Sequence, residues 1–114
     1  MFYKSTRNNA LRFTASQAVL KGLSDDGGLF VPERLPVLDK SLEELADMDY
    51  KNVAYEVMKL YLSDYTEAEL KYCIERAYDD KFDIPEKVAI KKAGGAYYLE
   101  LFHGPTIAFK DMAL

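Results

Sequence analysis

Apolar residues recur at helical spacing in four stretches of the chain, and three of these open on a residue pair able to close a helix start. Thr14 and Gln17 form one such pair, because the hydroxyl and the amide can each satisfy the other's backbone N–H. Ala15, Ala18, Val19 and Leu23 follow on one face, and Gly22 supplies the stop, so the pattern predicts a helix over 14–22. Ser41 and Glu44 open a second helix over 41–46, with Leu42 and Leu45 as its buried side. A third spans 51–62, where Val53, Ala54, Val57, Met58 and Tyr61 share a face. Thr66 and Glu69 open the fourth, over 66–79. Its stripe of Leu70, Cys73, Ile74, Ala77 and Tyr78 has the i, i+3, i+4, i+7, i+8 spacing of a buried face. Cys73 therefore reads as a small core side chain rather than a reactive thiol.

The remaining stretches read as short strands and turns. Met1–Ser5 starts aromatic and predicts a strand. Leu29–Val31 predicts an extended segment that Pro32 keeps out of the middle of a sheet. Asp25, Asp26, Gly27 and Gly28 make a polar turn, and the two aspartates read as capping and solubility groups rather than a metal site. Val88–Lys91 and Tyr97–Phe102 flank Gly94-Gly95, a pair suited to the positive φ of a hairpin turn. The elements add up to a small α+β unit, mainly helical, with a few short strands.

Composition narrows the function. A chain of 114 residues suits one domain. The net charge is -4, and the basic residues are scattered among acidic ones, so no track for a nucleic-acid backbone is present. No stretch approaches the ~20 apolar residues of a membrane span, and the N-terminus lacks the apolar run of a signal peptide. A single cysteine rules out a disulfide within the chain and fits a cytoplasmic protein.

Candidate chemistry sits near the end, in Leu99-Glu100-Leu101-Phe102-His103-Gly104-Pro105-Thr106-Ile107-Ala108-Phe109-Lys110-Asp111. The segment reads as a strand, a tight loop turned by Gly104 and Pro105, and a helix start. Lys110 then lies near a helix N-terminus, whose dipole disfavours an ammonium. Burial beside Phe109 and Phe102 would act in the same direction, toward the neutral amine that attacks an aldehyde, with Asp111 opposing. His103, the lone histidine, reads as a loop-packing residue. By spacing alone Lys110 is a candidate and no more.

Three blocks in order change that. Leu99–Thr106 with Ala108-Phe109-Lys110-Asp111 resembles the segment of threonine synthases that presents the lysine of pyridoxal phosphate (PLP). Tyr3-Lys4-Ser5-Thr6-Arg7 resembles the family's opening. Ala18–Leu23 with Asp26–Pro32 resembles its second block. Asn8 departs from the family pattern, which often has glycine there, and suggests a left-handed backbone that asparagine tolerates. The resemblance implies the opening part of an α/β PLP enzyme of the tryptophan synthase β-like kind, fold type II. Residues 1–96 would be its N-terminal domain and 97–114 the start of the PLP-binding domain. It implies that Lys110 holds PLP covalently and acts as acid and base on the substrate carbons, in converting O-phospho-L-homoserine and water to L-threonine and phosphate. Phe109 is the candidate beside the cofactor ring. Thr106, Lys4, Thr6 and Arg7 are candidates for the substrate, the last three for its phosphate.

No glycine-rich loop suited to the cofactor phosphate is present, and the ring-nitrogen partner cannot be located. The expected partner for these tasks is a downstream PLP-binding domain of the same chain, and the 114 residues alone are expected to be inactive. Without those neighbours, the stretch from His103 onward is expected to be poorly ordered or to pair with another copy. Two other readings stand beside this one: a threonine synthase-like phospholyase with a different product, and a freestanding interaction module whose helical stripes dock a partner.

Overall fold

The capping boxes expected at Thr14, Ser41 and Thr66 all form, and they set where the helices begin. In the computed structural model, which describes residues 1–112, the order is β1 (Tyr3–Ser5), α1 (Ala15–Lys21), β2 (Phe30–Pro32), α2 (Leu42–Ala46), α3 (Tyr50–Tyr61), α4 (Glu67–Ala77), β3 (Ala89–Ala93) and β4 (Ala96–Glu100). A 3-10 turn, Phe109–Met112, follows. Asp49 caps α3 by accepting from the Asn52 N–H at 2.8 Å. Gly22 ends α1 at φ 77°.

β1 and β2 pair antiparallel, with Tyr3 opposite Pro32 and Ser5 opposite Phe30. Pro32 thus ends a two-stranded ladder, where its missing N–H removes nothing from a central strand. Phe13 adds a bridge on the other side of Tyr3, donating to the Tyr3 carbonyl at 3.0 Å and accepting at 2.8 Å. Its ring meets that of Phe30 at 4.8 Å between centroids. β3 and β4 form a separate hairpin turned by Gly94 and Gly95 at φ 58° and 82°, as the sequence predicts.

The buried apolar side chains are Ala15, Ala18, Leu70, Ile74 and Phe82. Several stripe positions are not covered. Val19, Leu23 and Leu42 are 65%, 61% and 80% exposed. Cys73 is exposed as well, which corrects its reading as a core residue. Helical spacing marks the face that could be buried, but burial needs a second layer, and Leu70 and Ile74 are the residues α4 buries. The hairpin is exposed along most of both strands. The radius of gyration, 16.4 Å, exceeds the ~13 Å of a compact domain of this length. Among the described residues, no helix is long and apolar enough to cross a membrane.

Thr14 offers a test of the local design. Its side chain accepts from the Gln17 N–H while its own N–H donates to Gln17 Oε1 at 2.9 Å. Thr14→Ala should destabilise the protein by about 1 kcal/mol, and Thr14→Ser should recover most of it. Urea unfolding with an unchanged m-value would measure the difference.

Candidate functional site

β4 delivers the chain into a loop that is braced from within. Asp111, in the 3-10 turn, reaches back across the loop. Its Oδ2 accepts from the Thr106 N–H at 2.8 Å and its Oδ1 from the Thr106 hydroxyl at 2.7 Å. These bonds, the hydroxyl's first, hold the Asp111 carboxyl below the usual carboxylate range. The carboxylate thus closes the six-residue stretch 106–111 into a ring with Lys110 on its rim.

Two backbone features make the ring possible. Gly104 is buried, and a Cβ there would lie 2.6 Å from Asp111 Oδ2 and 2.8 Å from its Cγ, closer still to its Cβ. Only glycine leaves room for that carboxylate. Ile107 takes φ 60°, a left-handed conformation that a β-branched residue rarely adopts. Its N–H donates to the Gly104 carbonyl at 3.1 Å. Strain of this kind persists where surrounding bonds over-determine the backbone, and it concentrates at functional loops.

Lys110 is exposed, and so is Phe109, at 64%. Phe102 is 49% exposed. The expected burial of Lys110 between these rings is therefore not made by this chain, because the rings face outward with no layer above them. The expected helix start is a 3-10 turn, Phe109–Met112, and anything expected of residues 113–114 lies outside the described residues. Within 103–112 the loop is bonded to its own chain; the end of the stretch expected to be poorly ordered or paired with another copy lies outside the described residues. Tyr78 Oη donates to the Met112 carbonyl at 2.9 Å, and His103 is buried.

Lys4, Thr6 and Arg7 lie in a second polar cluster. Ser5 is fully buried; it donates to Asp26 Oδ1 at 2.8 Å and accepts from the Arg7 N–H at 3.1 Å. Arg7 Nη1 donates to the Asp26 carbonyl at 3.0 Å, and Thr6 Oγ1 accepts from the Leu29 N–H at 3.0 Å. Asp26 also accepts from the Gly28 N–H at 2.8 Å, the main reason its carboxyl is held below the usual range, with Ser5 next. A Cβ at Gly28 would sit 2.9 Å from Asp26 Oδ1 and 3.0 Å from Thr6 Oγ1, so the turn requires glycine. Asn8 does not adopt positive φ, contrary to expectation. Its side chain instead accepts from the Ala10 N–H at 2.9 Å, which turns the chain without a left-handed residue. Among the described residues, no hydrogen bond or ion pair joins this cluster to the Lys110 loop.

The donor set fits one end of an aldehyde cofactor. Lys110 presents a primary amine with no hydrogen bond or ion pair among the described residues, on a fixed rim open to solvent. The phosphate end is not fitted here. The Gly27 N–H donates to Ser24 and the Gly28 N–H to Asp26, so neither is free to cradle an anion. The larger cavities also lie elsewhere. One of about 490 Å³ is lined by Met48, Tyr50, Val53, Pro85 and Val88. Sequence reading missed Asp111 as the brace, Gly104 as its seat, and Asp83 and Glu100 as partners of His103. The Thr106–Asp111 spacing was the one visible signal, since a threonine beside a loop proline and a carboxylate five residues on can close a turn.

Comparison with known proteins decides the family. Residues 2–78 match the family described as threonine synthase N terminus. The chain belongs to the threonine synthase family. It is 45% identical to the threonine synthase of Schizosaccharomyces pombe over 116 aligned residues, covering 98% of this chain and 22% of that protein. It is 37% identical to human threonine synthase-like 2, covering all of this chain and 24% of that one. Among solved structures, a PLP-bound threonine synthase from Brucella melitensis superposes with a TM-score of 0.83 at 33% identity, covering 97% of this chain and 24% of that one. The Escherichia coli threonine synthase gives 0.76 at 30%, covering 97% and 25%. The chain thus spans about a quarter of the length of the threonine synthases it matches, and it has the fold of that quarter.

Proposed function

We propose that this chain is the N-terminal part of a PLP-dependent threonine synthase, which converts O-phospho-L-homoserine and water to L-threonine and phosphate in threonine biosynthesis. The observation that carries the reading is the braced loop with an amine that is unengaged among the described residues, in a chain whose similarity to threonine synthases covers 98% of its length. Residues 1–96 form the N-terminal domain in this reading, and 97–114 open the cofactor domain of a tryptophan synthase β-like, fold type II enzyme. The β3–β4 hairpin then ties the two together. The enzyme works in the cytoplasm, in keeping with its lone exposed thiol.

Lys110 holds the cofactor through its amine and, once released, moves protons at the substrate carbons. PLP, when bound, supplies the electron sink that makes those protons acidic. Asp111 fixes the loop so that the amine returns to one place. Phe109, exposed beside the lysine, offers its ring as a wall for the cofactor. Thr106 has given both its N–H and its hydroxyl proton to Asp111, so it meets the substrate as an acceptor. Thr6 is the reverse. Its oxygen accepts from Leu29, leaving the hydroxyl proton for a phosphate oxygen. Arg7 spends Nη1 on Asp26 and keeps further N–H donors for the same phosphate, with Lys4 beside it on β1. The rest of the enzyme supplies the cofactor-phosphate cup, and without it the 114 residues are inactive.

Borohydride reduction of the full-length protein with PLP should fix the cofactor on Lys110, identified by peptide mapping. Label on a different lysine would overturn the assignment. The similarity to threonine synthase-like 2 proteins favours a second reading, in which the same lysine serves a phospholyase. Assaying threonine and 2-oxobutyrate from O-phosphohomoserine separates the two.

A further inference from the structure

We propose that His103 is a positioning residue: an imidazolium clamped between Asp83 and Glu100 that fixes the junction from which the Lys110 loop springs. Nδ1 lies 2.6 Å from Asp83 Oδ1, and Nε2 lies 3.0 Å from Glu100 Oε2. A neutral ring carries one N–H and can donate to one of these only. Its other nitrogen would then turn a lone pair toward a carboxylate. The doubly protonated ring satisfies both, with charge-assisted bonds in opposite directions. A third bond seals the junction, as the Asp83 N–H donates to the His103 carbonyl at 3.0 Å.

The surroundings suit a charged clamp. The imidazole is 10% exposed and Glu100 20%, so solvent screens that contact weakly. Asp83 comes from the connector after α4, and Glu100 from the end of β4. The connector's two cations do not compete: Lys81 Nζ donates to the Arg76 carbonyl at 2.8 Å and to Asp79 Oδ2 at 2.5 Å, and Lys87 Nζ donates to the Asp79 carbonyl at 2.7 Å. The following turn contributes Asp111, packed on Gly104 and engaged with Thr106. The Phe102 ring lies 4.7 Å from the imidazole. Both charged groups bonded to the ring are therefore negative. Glu100 first, and then Asp83, hold the histidine above its ordinary 6.5.

The sign follows from linkage. With the folded value raised, the clamp's contribution is full below the unfolded value near 6.5 and is lost as pH rises through the folded one. Gly104, the seat of Asp111, is the next residue, so release of the ring loosens the footing of the loop. That consequence for catalysis rests on the assignment of Lys110; the clamp itself does not.

The test uses the full-length protein with labelled histidine, the His103 resonance being assigned by its disappearance in His103→Gln. The expected result is a titration midpoint above 6.5. Amide protection over residues 100–112, corrected for intrinsic exchange, should fall about tenfold through the same midpoint, the scale of one charge-assisted hydrogen bond. In His103→Gln the profile should be flat. If that variant does not fold, Glu100→Gln serves instead and should lower the midpoint. A midpoint at or below 6.5, a flat wild-type profile, or an unmoved midpoint in Glu100→Gln would overturn the clamp. Borohydride labelling is read in parallel. Loss of label from Lys110 in the wild type would sink the cofactor assignment and leave the clamp standing.

Discussion

Lys110→Ala in the full-length protein should lower threonine formation by at least about 10³-fold, the scale lost when a group that both moves protons and bonds the cofactor is removed. Lys110→Arg should do the same. A guanidinium keeps the positive charge but never presents a neutral amine, so this variant separates charge from nucleophilicity. Because Lys110 is exposed and engages no neighbour among the described residues, neither change should move the unfolding midpoint by more than about 0.5 kcal/mol. Kinetics and urea unfolding on the same samples decide the matter. An arginine variant that made threonine at the normal rate would remove the lysine from the mechanism.

The parts of the fold that rest on local bonds were legible in the sequence, and those that rest on distant partners were not. Thr14, Ser41 and Thr66 each cap a helix with a residue three places on, so both halves of the interaction lie within one turn. Gly94-Gly95 declares its hairpin for the same reason, since positive φ is a property of single residues. Cys73 failed because its spacing marks a stripe, while burial depends on what lies opposite. Val19 and Leu42 failed likewise. The site divides in the same way. Lys110 was singled out by resemblance to a family, and its expected burial is not made, because Phe102 and Phe109 are themselves exposed and nothing here covers them. Ile107 gave no warning of its left-handed backbone. That conformation is imposed by the closure of Thr106 on Asp111, not chosen by isoleucine.

Gly104→Ala should cut kcat/KM by about 10²-fold, the cost of misplacing a reacting group by ~1 Å. The added methyl would sit 2.6 Å from Asp111 Oδ2 and 2.8 Å from Cγ, where unstrained carbon contacts need ~3.5–4.0 Å. Asp111 cannot swing clear without giving up both bonds to Thr106, and its backbone N–H is also tied to the Ala108 carbonyl at 3.1 Å. The displacement therefore passes to its neighbour Lys110. Asp111→Ala removes the obstruction and the brace together, so it too should slow the reaction. The informative comparison is the double variant. If Gly104→Ala acts through Asp111, adding it to Asp111→Ala should change little, a non-additivity that a double-mutant cycle measures. Borohydride labelling of Lys110 should survive in all three, because the amine is moved rather than removed. Additive losses in the double variant would mean that the methyl harms the enzyme by some other contact, and the carboxylate ring would lose its place as the device that aims the lysine.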